Sequence, residues 1–337
     1  MSRMKRHSLT LKDIADQLGI SPATVSLALR NKECVSEKTR QTVREAVKRL
    51  GYVYNRSAAR LRTQRSNTIG LIVPNILNPF FTELTSAIEE KMETFGYSLL
   101  LAKTSEDRER QGKALRTMLE YGVEGILLCP AVGTTQEDLR ICEKMSIPLV
   151  LFTRPVDGPK MDYVGPDNSR GTALATKYLI GKGHRRIAFL GGVEGSFTRW
   201  ERFEGYRQAL EEARIPLEGQ YNRVCDTTVD GGFQVMQELL NLQEPPTAAL
   251  CFNDVTAFGA ILCLWSHRIV PGKDFDVIGF DNLSDAELFS PSLTTLSCPP
   301  RRIGFRASEL LLERIENPGK KQESVIIAPE LVLRDSA

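Results

Sequence analysis

The sequence predicts an α/β protein in two unlike parts. A short, all-helical N-terminal unit precedes a much longer body of doubly wound parallel sheets in two lobes. Three observations carry that expectation. The charge changes sign near residue 65; residues 10–50 keep a helical apolar period broken by capping residues; and from Asn67 onward short apolar runs alternate with amphipathic stretches. A chain of 337 residues has room for two or three domains, each with its own core.

The charge break comes first. Residues 1–65 hold 15 Lys+Arg and 5 Asp+Glu, a net of +10. The remainder holds 29 and 37, a net of −8, so the overall +2 conceals a basic arm on an acidic body. Such asymmetry points to a polyanion partner. No apolar run reaches the roughly 18 residues of a membrane span, so no membrane partner is expected. Met1 to Lys12 is polar and basic with no apolar stretch behind it, which predicts a cytoplasmic protein rather than an exported one. The seven cysteines lie far apart with no Cys-x-x-Cys pair, as expected of reduced thiols. With three scattered histidines, no metal site and no cofactor are expected. Gly191-Gly192-Val193-Glu194-Gly195 fits neither a phosphate-binding loop nor a dinucleotide fingerprint, and no Gly-x-Ser-x-Gly elbow occurs, so no enzyme is expected.

The basic arm carries three apolar faces: Ile14, Ala15 and Leu18; Val25, Ala28 and Leu29; Val43, Ala46, Val47 and Leu50. Gly19 permits a tight turn, Ser21 is a natural N-cap with Pro22 at the first helical position, Ser36 caps a third helix and Gly51 ends it. Two short helices joined by a three-residue turn, with a third in support, make a helix-turn-helix. The second helix, 22–30, is then the one to enter the DNA major groove. The hydroxyls of Thr10, Ser21, Thr24, Ser26, Ser36 and Thr39 are candidates for phosphates, each with an equal claim to being a cap or a surface hydroxyl. Residues 52–66 follow with four arginines, no acid and one large aliphatic, Leu61. A lone apolar wedge in a basic segment suits insertion between base steps of the minor groove; the alternative is a flexible charged linker.

In the body, strands are expected at 68–73, 97–102, 125–129 and 149–152, then at 187–191, 248–252 and 276–280. Helices at 80–95, 169–181, 200–213 and 255–266 lie between them. The alternation implies parallel sheets covered on both faces, in two sets with a cleft between. Ligands of such sheets collect beyond the carboxyl ends of the strands. The polar and aromatic residues just past those ends include Asn75, Asn78, Phe80, Phe81, Thr153, Arg154, Ser196, Thr198, Arg202, Asn253 and Asp281. Asn, Asp and Arg bond sugar hydroxyls, and aromatic faces cover sugar C–H surfaces.

These residues also resemble a family. Thr10-Leu11-Lys12-Asp13-Ile14-Ala15, Gly19-Ile20-Ser21, Thr24-Val25-Ser26, Val35-Ser36 and Thr39-Arg40 resemble the headpiece of lactose-repressor (LacI/GalR) family regulators. The likeness continues through Ile69-Gly70-Leu71-Ile72-Val73-Pro74, Asn78-Pro79-Phe80-Phe81, Arg202-x-x-Gly205-Tyr206, Asn253-Asp254 and Ile278-Gly279-Phe280-Asp281.

The resemblance implies a headpiece over 1–54, a hinge helix over 55–66 and a periplasmic-binding-protein-like sensor over 67–337. Its lobes would be about 67–165 and 166–290, with further crossings near 291–300 and 325. It places base reading on Pro22, Ala23 and Leu27. Neither Pro22 nor Ala23 has a side-chain donor, so apolar contact and DNA shape are expected to dominate. Leu11 and Arg30 complete the headpiece contacts, and Asn55, Ala58 and Leu61 match the hinge motif. The implied effector residues are Asn78, Phe80, Phe81, Thr153, Arg202, Asn253 and Asp281, with Cys298 where many members carry glutamine. Family effectors are mostly sugars or sugar phosphates, less often purines. The implied function is a repressor whose affinity for a pseudo-palindromic operator is set by such an effector. After Glu330 the sequence shows no leucine heptads, and a homodimer is the expectation. A sugar-binding transport component would fit the body alone but not the basic arm. An enzyme acting on a sugar would need clustered acids or bases the sequence does not show.

Overall fold

The computed structural model describes residues 9–29, 34–52, 65–158 and 161–337. The chain divides into two compact units, residues 1–66 and 67–337. Among the described residues no helix is long and apolar enough to cross a membrane.

The first unit holds α1 (Leu11–Leu18), α2 (Pro22–Leu29) and α3 (Glu37–Leu50). Each start has a chemical cause. Thr10 and Asp13 form a capping box, in which Asp13 N–H donates to Thr10 Oγ1 at 3.3 Å and Thr10 N–H to Asp13 Oδ2 at 2.7 Å. Thr24 N–H donates to Ser21 Oγ at 3.0 Å, and Thr39 N–H to Ser36 Oγ at 3.3 Å. Gly19 closes α1 at φ +65°, a conformation that lets α2 begin three residues later. Ile14, Ala15, Val25, Ala28, Val35, Val43 and Ala46 are buried together, with Leu18, Leu29, Val47 and Leu50 packed against them. The three predicted apolar faces therefore meet in one core.

The second unit contains two six-stranded sheets. The first comprises β1 (Thr68–Val73), β2 (Ser98–Lys103), β3 (Gly125–Leu128), β4 (Leu149–Phe152), β5 (Asp162–Pro166) and β11 (Ser324–Ile327). Its order is β11-β5-β4-β3-β1-β2, parallel throughout. The second comprises β6 (Ile187–Leu190), β7 (Asn222–Arg223), β8 (Ala248–Cys251), β9 (Asp276–Asp281), β10 (Thr294–Ser297) and β12 (Glu330–Val332). Its order is β12-β10-β9-β8-β6-β7, parallel except for the β10–β12 pair. The crossovers are α4 (Pro79–Thr94), α5 (Arg108–Glu120), α6 (Gln136–Lys144), α7 (Asn168–Gly181), α8 (Phe197–Glu212), α9 (Val229–Leu240) and α10 (Asp254–Ser266). The short α11 (Ser284–Leu288) and the long α12 (Pro300–Glu316) complete the body.

The central strands of each sheet are buried on both faces, as parallel sheets require. One apolar cluster runs through both sheets, from Ile69, Leu71 and Phe152 to Phe189, Leu250, Ile278 and Phe280. Separate clusters cover the far faces, around Ile72 and Met118 in the first sheet and Met236 and Val277 in the second. The chain passes between the sheets three times: from β5 into α7, from β10 through α12 to β11, and from β11 to β12.

All seven expected strands are present, within one residue at each end, and five others were not expected: β5, β7, β10, β11 and β12. Strand β5 reads Asp-Tyr-Val-Gly-Pro, a poor strand by composition. It is held by tertiary partners. The buried Asp162 accepts from Arg314 Nε at 2.7 Å and Nη2 at 3.1 Å, and from Glu323 N–H at 2.9 Å.

Candidate functional site

On the first unit, the N-terminus of α2 presents Ser21, Pro22 and Ala23 to solvent. Thr24 is half-buried and its hydroxyl lies 2.8 Å from Ser21 Oγ; Thr39 Oγ1 and Ser36 Oγ stand 2.9 Å apart in the same relation. The Ser21 and Ser36 hydroxyls are caps first, and a phosphate would have to share them. Leu11 and Leu27 are half-buried against the three-helix core. Ser26 is 1 % exposed, beside Val25 on α2. Arg30, Asn55, Ala58 and Leu61 lie outside the described residues.

On the second unit, the strand ends converge on a cavity of about 340 Å³. Asn78, Phe80, Phe81, Thr153, Arg202, Asn253 and Asp281 all line it. The cause is topological. The loops after β1, β2 and β4 supply one wall and those after β6, β8 and β9 the other, so carboxyl ends of both parallel sheets face a common space.

Arg202 is the central group. It is 6 % exposed and stacks on Phe280, with its guanidinium carbon 3.5 Å from the ring centroid, and near Phe252 at 4.6 Å. Its Nε donates to Asn168 Oδ1 at 2.8 Å and its Nη1 to the Phe252 carbonyl. Nη2 stands 3.7 Å from Asp281 Oδ1, which is an ion pair but beyond hydrogen-bond reach. The guanidinium is thus fixed in place, and its Nη2 edge and the Asp281 carboxyl keep bonding capacity for a guest. Gly205 makes this possible: a Cβ there would lie 2.0 Å from the Ser169 carbonyl oxygen, so only glycine lets α8 approach α7 and bring Arg202 to Asn168.

Burial pushes the Asp281 carboxyl well above the usual carboxylate range against the pull of Arg202, with Asp254 adding to the rise. Burial likewise lifts Asp254 to about 6, although Thr295 and the Leu283 N–H both donate to it. The Arg202 guanidinium is itself lowered by burial. Several wall positions hold left-handed backbone: Ser105 (φ +55°), Glu106 (φ +61°), Thr153 (φ +59°) and Asp281 (φ +124°). Such conformations cost about 1–3 kcal/mol each and cluster at ligand clamps.

Two family models match the chain. One, described as bacterial regulatory proteins, lacI family, covers residues 10–55. The other, described as periplasmic binding proteins and sugar binding domain of LacI family, covers residues 66–334. The chain belongs to the lacI family of bacterial regulatory proteins. Among its relatives is an HTH-type transcriptional repressor PurR of Mannheimia succiniciproducens, 33 % identical over 328 residues, which span 97 % of this chain and 98 % of that one. Several solved structures are similar over nearly the whole length, two of them as follows. The lac repressor dimer bound to operator and the anti-inducer ONPF has a TM-score of 0.86 at 26 % identity, covering 97 % of this chain and 98 % of that one. The complex of the transcriptional regulator CelR with cellobiose has a TM-score of 0.73 at 28 % identity, covering 98 % and 100 %. The architecture is therefore a lacI-family one, a helix-turn-helix unit followed by a periplasmic-binding-protein-like body.

Within that frame some predicted side chains are less available than expected. Asn253 Oδ1 caps α10, accepting from Thr256 N–H at 3.0 Å and from its hydroxyl at 2.6 Å, so only the amide nitrogen remains for a guest. Asn78 Oδ1 caps α4 through Phe80 N–H at 3.0 Å. Thr153 Oγ1 lies 2.9 Å from Cys129 Sγ. Lys103, Ser105 and Glu106 also line this lacI-family cavity and were missed. The signal was available, because Lys103 is the last residue of β2, one past its expected end, and Ser105 and Glu106 lie just beyond it. Arg154 was noted past β4 but not chosen; it forms a bidentate pair with Glu106 at 2.6 and 2.7 Å and donates to the Pro130 carbonyl at 3.0 Å.

Proposed function

We propose that this lacI-family chain represses transcription by binding a pseudo-palindromic DNA operator as a homodimer, and that a small polyhydroxylated effector in the Arg202–Asp281 cavity sets its grip. The observation that carries this reading is the convergence of all seven effector positions on one cavity in a chain that begins with a capped helix-turn-helix. Pro22 and Ala23 at the exposed start of α2 read base edges by apolar contact, with Leu27 offering the part of its surface left by the core. Ser21, Thr24, Ser36, Thr39, Thr10 and Leu11 position the backbone. Arg30, Asn55, Ala58 and Leu61 extend the contact into the hinge. The operator-bound dimer of the lac repressor and the cellobiose complex of CelR support the two halves of the reading.

The Arg202 fork donates and the Asp281 carboxyl accepts, the complement of adjacent hydroxyls on one ring, while Phe80 and Phe81 at 5.3 Å edge-to-face supply an apolar wall. The cavity binds its guest without transforming it, and the protein works in the cytoplasm with its DNA. Selection from random duplexes, followed by melting of the protein against a panel of sugars, sugar phosphates and purines, tests both halves. An enriched palindromic motif and at least one stabilising ligand are expected. Unselected DNA after several rounds would remove the first half, and a panel with no stabilising member the second. The hinge has its own test: Leu61→Ala should bend the selected operator less, and equal bending would make the hinge only a tether.

A further inference from the structure

The Arg202–Asp281 cavity does not end at its own walls. A second chamber of about 520 Å³ adjoins it, and the two share Arg154 and Ser196 as lining residues. Three features set this chamber apart from ordinary surface relief. Its floor carries Trp200, 59 % exposed, beside Phe197 with ring centroids 5.5 Å apart. A tryptophan is seldom left so open, because its large ring gains most when covered. Polar groups ring that apolar floor, among them Asp157 and Asn222, whose Oδ1 already fixes Arg199 Nη2 at 2.6 Å.

The third feature lies at the junction. Ser196 is 3 % exposed, and its Oγ has no hydrogen-bond partner among the described residues. It occupies the N-cap position of α8 yet makes no capping bond, although a serine there ordinarily receives a backbone N–H. A buried hydroxyl with both donor and acceptor unused is uncommon in a native fold and calls for a guest. Arg154 faces it across the same opening, immobilised by Glu106 and the Pro130 carbonyl.

We propose that the effector is a two-ring glycoside: a polyol ring seated on Arg202 and Asp281, a second ring laid on the Phe197–Trp200 face, and the linkage passing Ser196. This rests on the effector reading above and extends it from a small polyol to a molecule that fills both chambers. Each chamber falls within the roughly 300–1,000 Å³ of small-ligand sites, and together they exceed what one sugar ring occupies. The second ring can be another sugar, stacked through its C–H face, or a nucleobase, stacked through its π face.

The test compares linked rings with free ones. Cellobiose, maltose, lactose, adenosine, guanosine and cytidine are titrated calorimetrically into the full chain beside glucose, galactose and ribose. At least one glycoside should bind about tenfold more tightly than its free sugar, or roughly 1.4 kcal/mol. A disaccharide or a nucleoside in that place identifies the second ring. In Trp200→Ala the gap should close to within about twofold, whereas Trp200→Phe, which keeps a stacking face, should retain it. With Trp265→Phe leaving Trp200 as the sole indole, the tighter glycoside should shift the emission and its free sugar should not. A panel in which no glycoside outbinds its free ring, including one in which none binds, overturns the proposal. So does a gap that survives Trp200→Ala. Failure of the underlying reading looks different: ligand binding would persist in Arg202→Ala.

Discussion

Arg202 and Asp281 form an ion pair in one cavity, yet their removal should have different consequences. Truncating Arg202 to alanine leaves Asn168 Oδ1 and the Phe252 carbonyl without their donor. It also empties the slot against Phe280. Two buried acceptors left unpaired at about 1–3 kcal/mol each, together with the emptied slot, cost about 3–5 kcal/mol. At roughly 2–4 °C per kcal/mol for a body of this size, the melting temperature should fall by about 6–20 °C. Asp281→Asn is milder. The Arg202 contact at 3.7 Å is no hydrogen bond, and burial already disfavours the ionised carboxyl, so a neutral isostere should cost the fold at most about 1 kcal/mol. Its effect should fall on the ligand, which loses a carboxyl partner worth about 0.5–1.5 kcal/mol, or about 2- to 13-fold in Kd. Scanning fluorimetry without ligand, and calorimetry with whichever panel member stabilises the wild type most, separate the two. The reasoning is refuted if Asp281→Asn lowers the melting temperature as far as Arg202→Ala. It is equally refuted if the ligand binds Asp281→Asn as tightly as wild type.

Three further predictions follow from the same geometry. Asp254 has a folded pKa raised to about 6, so the native state holds its proton more tightly than the unfolded chain, and its contribution to stability is lost as pH rises from about 4 through 6. The melting temperature of wild type minus that of Asp254→Asn should fall across that window, and a constant difference would mean that Asp254 does not titrate there. Gly205→Ala should destabilise the body by about 1–3 kcal/mol or more and weaken ligand binding with it, because its Cβ would press on the Ser169 carbonyl and push Arg202 away from Asn168; an unchanged melting temperature would show that the helices can part freely. Operator affinity should fall steeply with salt, by orders of magnitude between about 50 and 200 mM, given the net +10 of residues 1–65. A flat log–log plot would mean that the basic arm does not meet phosphates.

Much of this was legible in the sequence because local and global signals agree. Gly19, Ser21, Pro22, Ser36 and Gly51 punctuate the headpiece where the structure places its turns and caps. Strands buried on both faces read as continuous apolar runs, so β1, β4 and β8 stood out, and their ends then pointed to the cavity. What was missed depends on partners far away in sequence. Nothing near Asp162 announces a strand, since the Arg314 guanidinium neutralises it and the Glu323 N–H donates to it. Nothing near Ser26 distinguishes an exposed serine from a buried one on an eight-residue helix. Glu106 gained its place through Arg154, 48 residues on, and Asn253 spends its carbonyl on a helix cap that its motif alone does not reveal.

The central claim is that the DNA-reading unit and the cavity are thermodynamically coupled. Linkage makes that testable without knowing the path between them. The operator Kd is measured with and without saturating ligand, and the ligand Kd with and without saturating operator, all at one salt concentration. Coupling predicts that the two ratios are equal and differ from one by about five- to 150-fold. A ratio of one in both measurements, with ligand and operator each binding well, would contradict it.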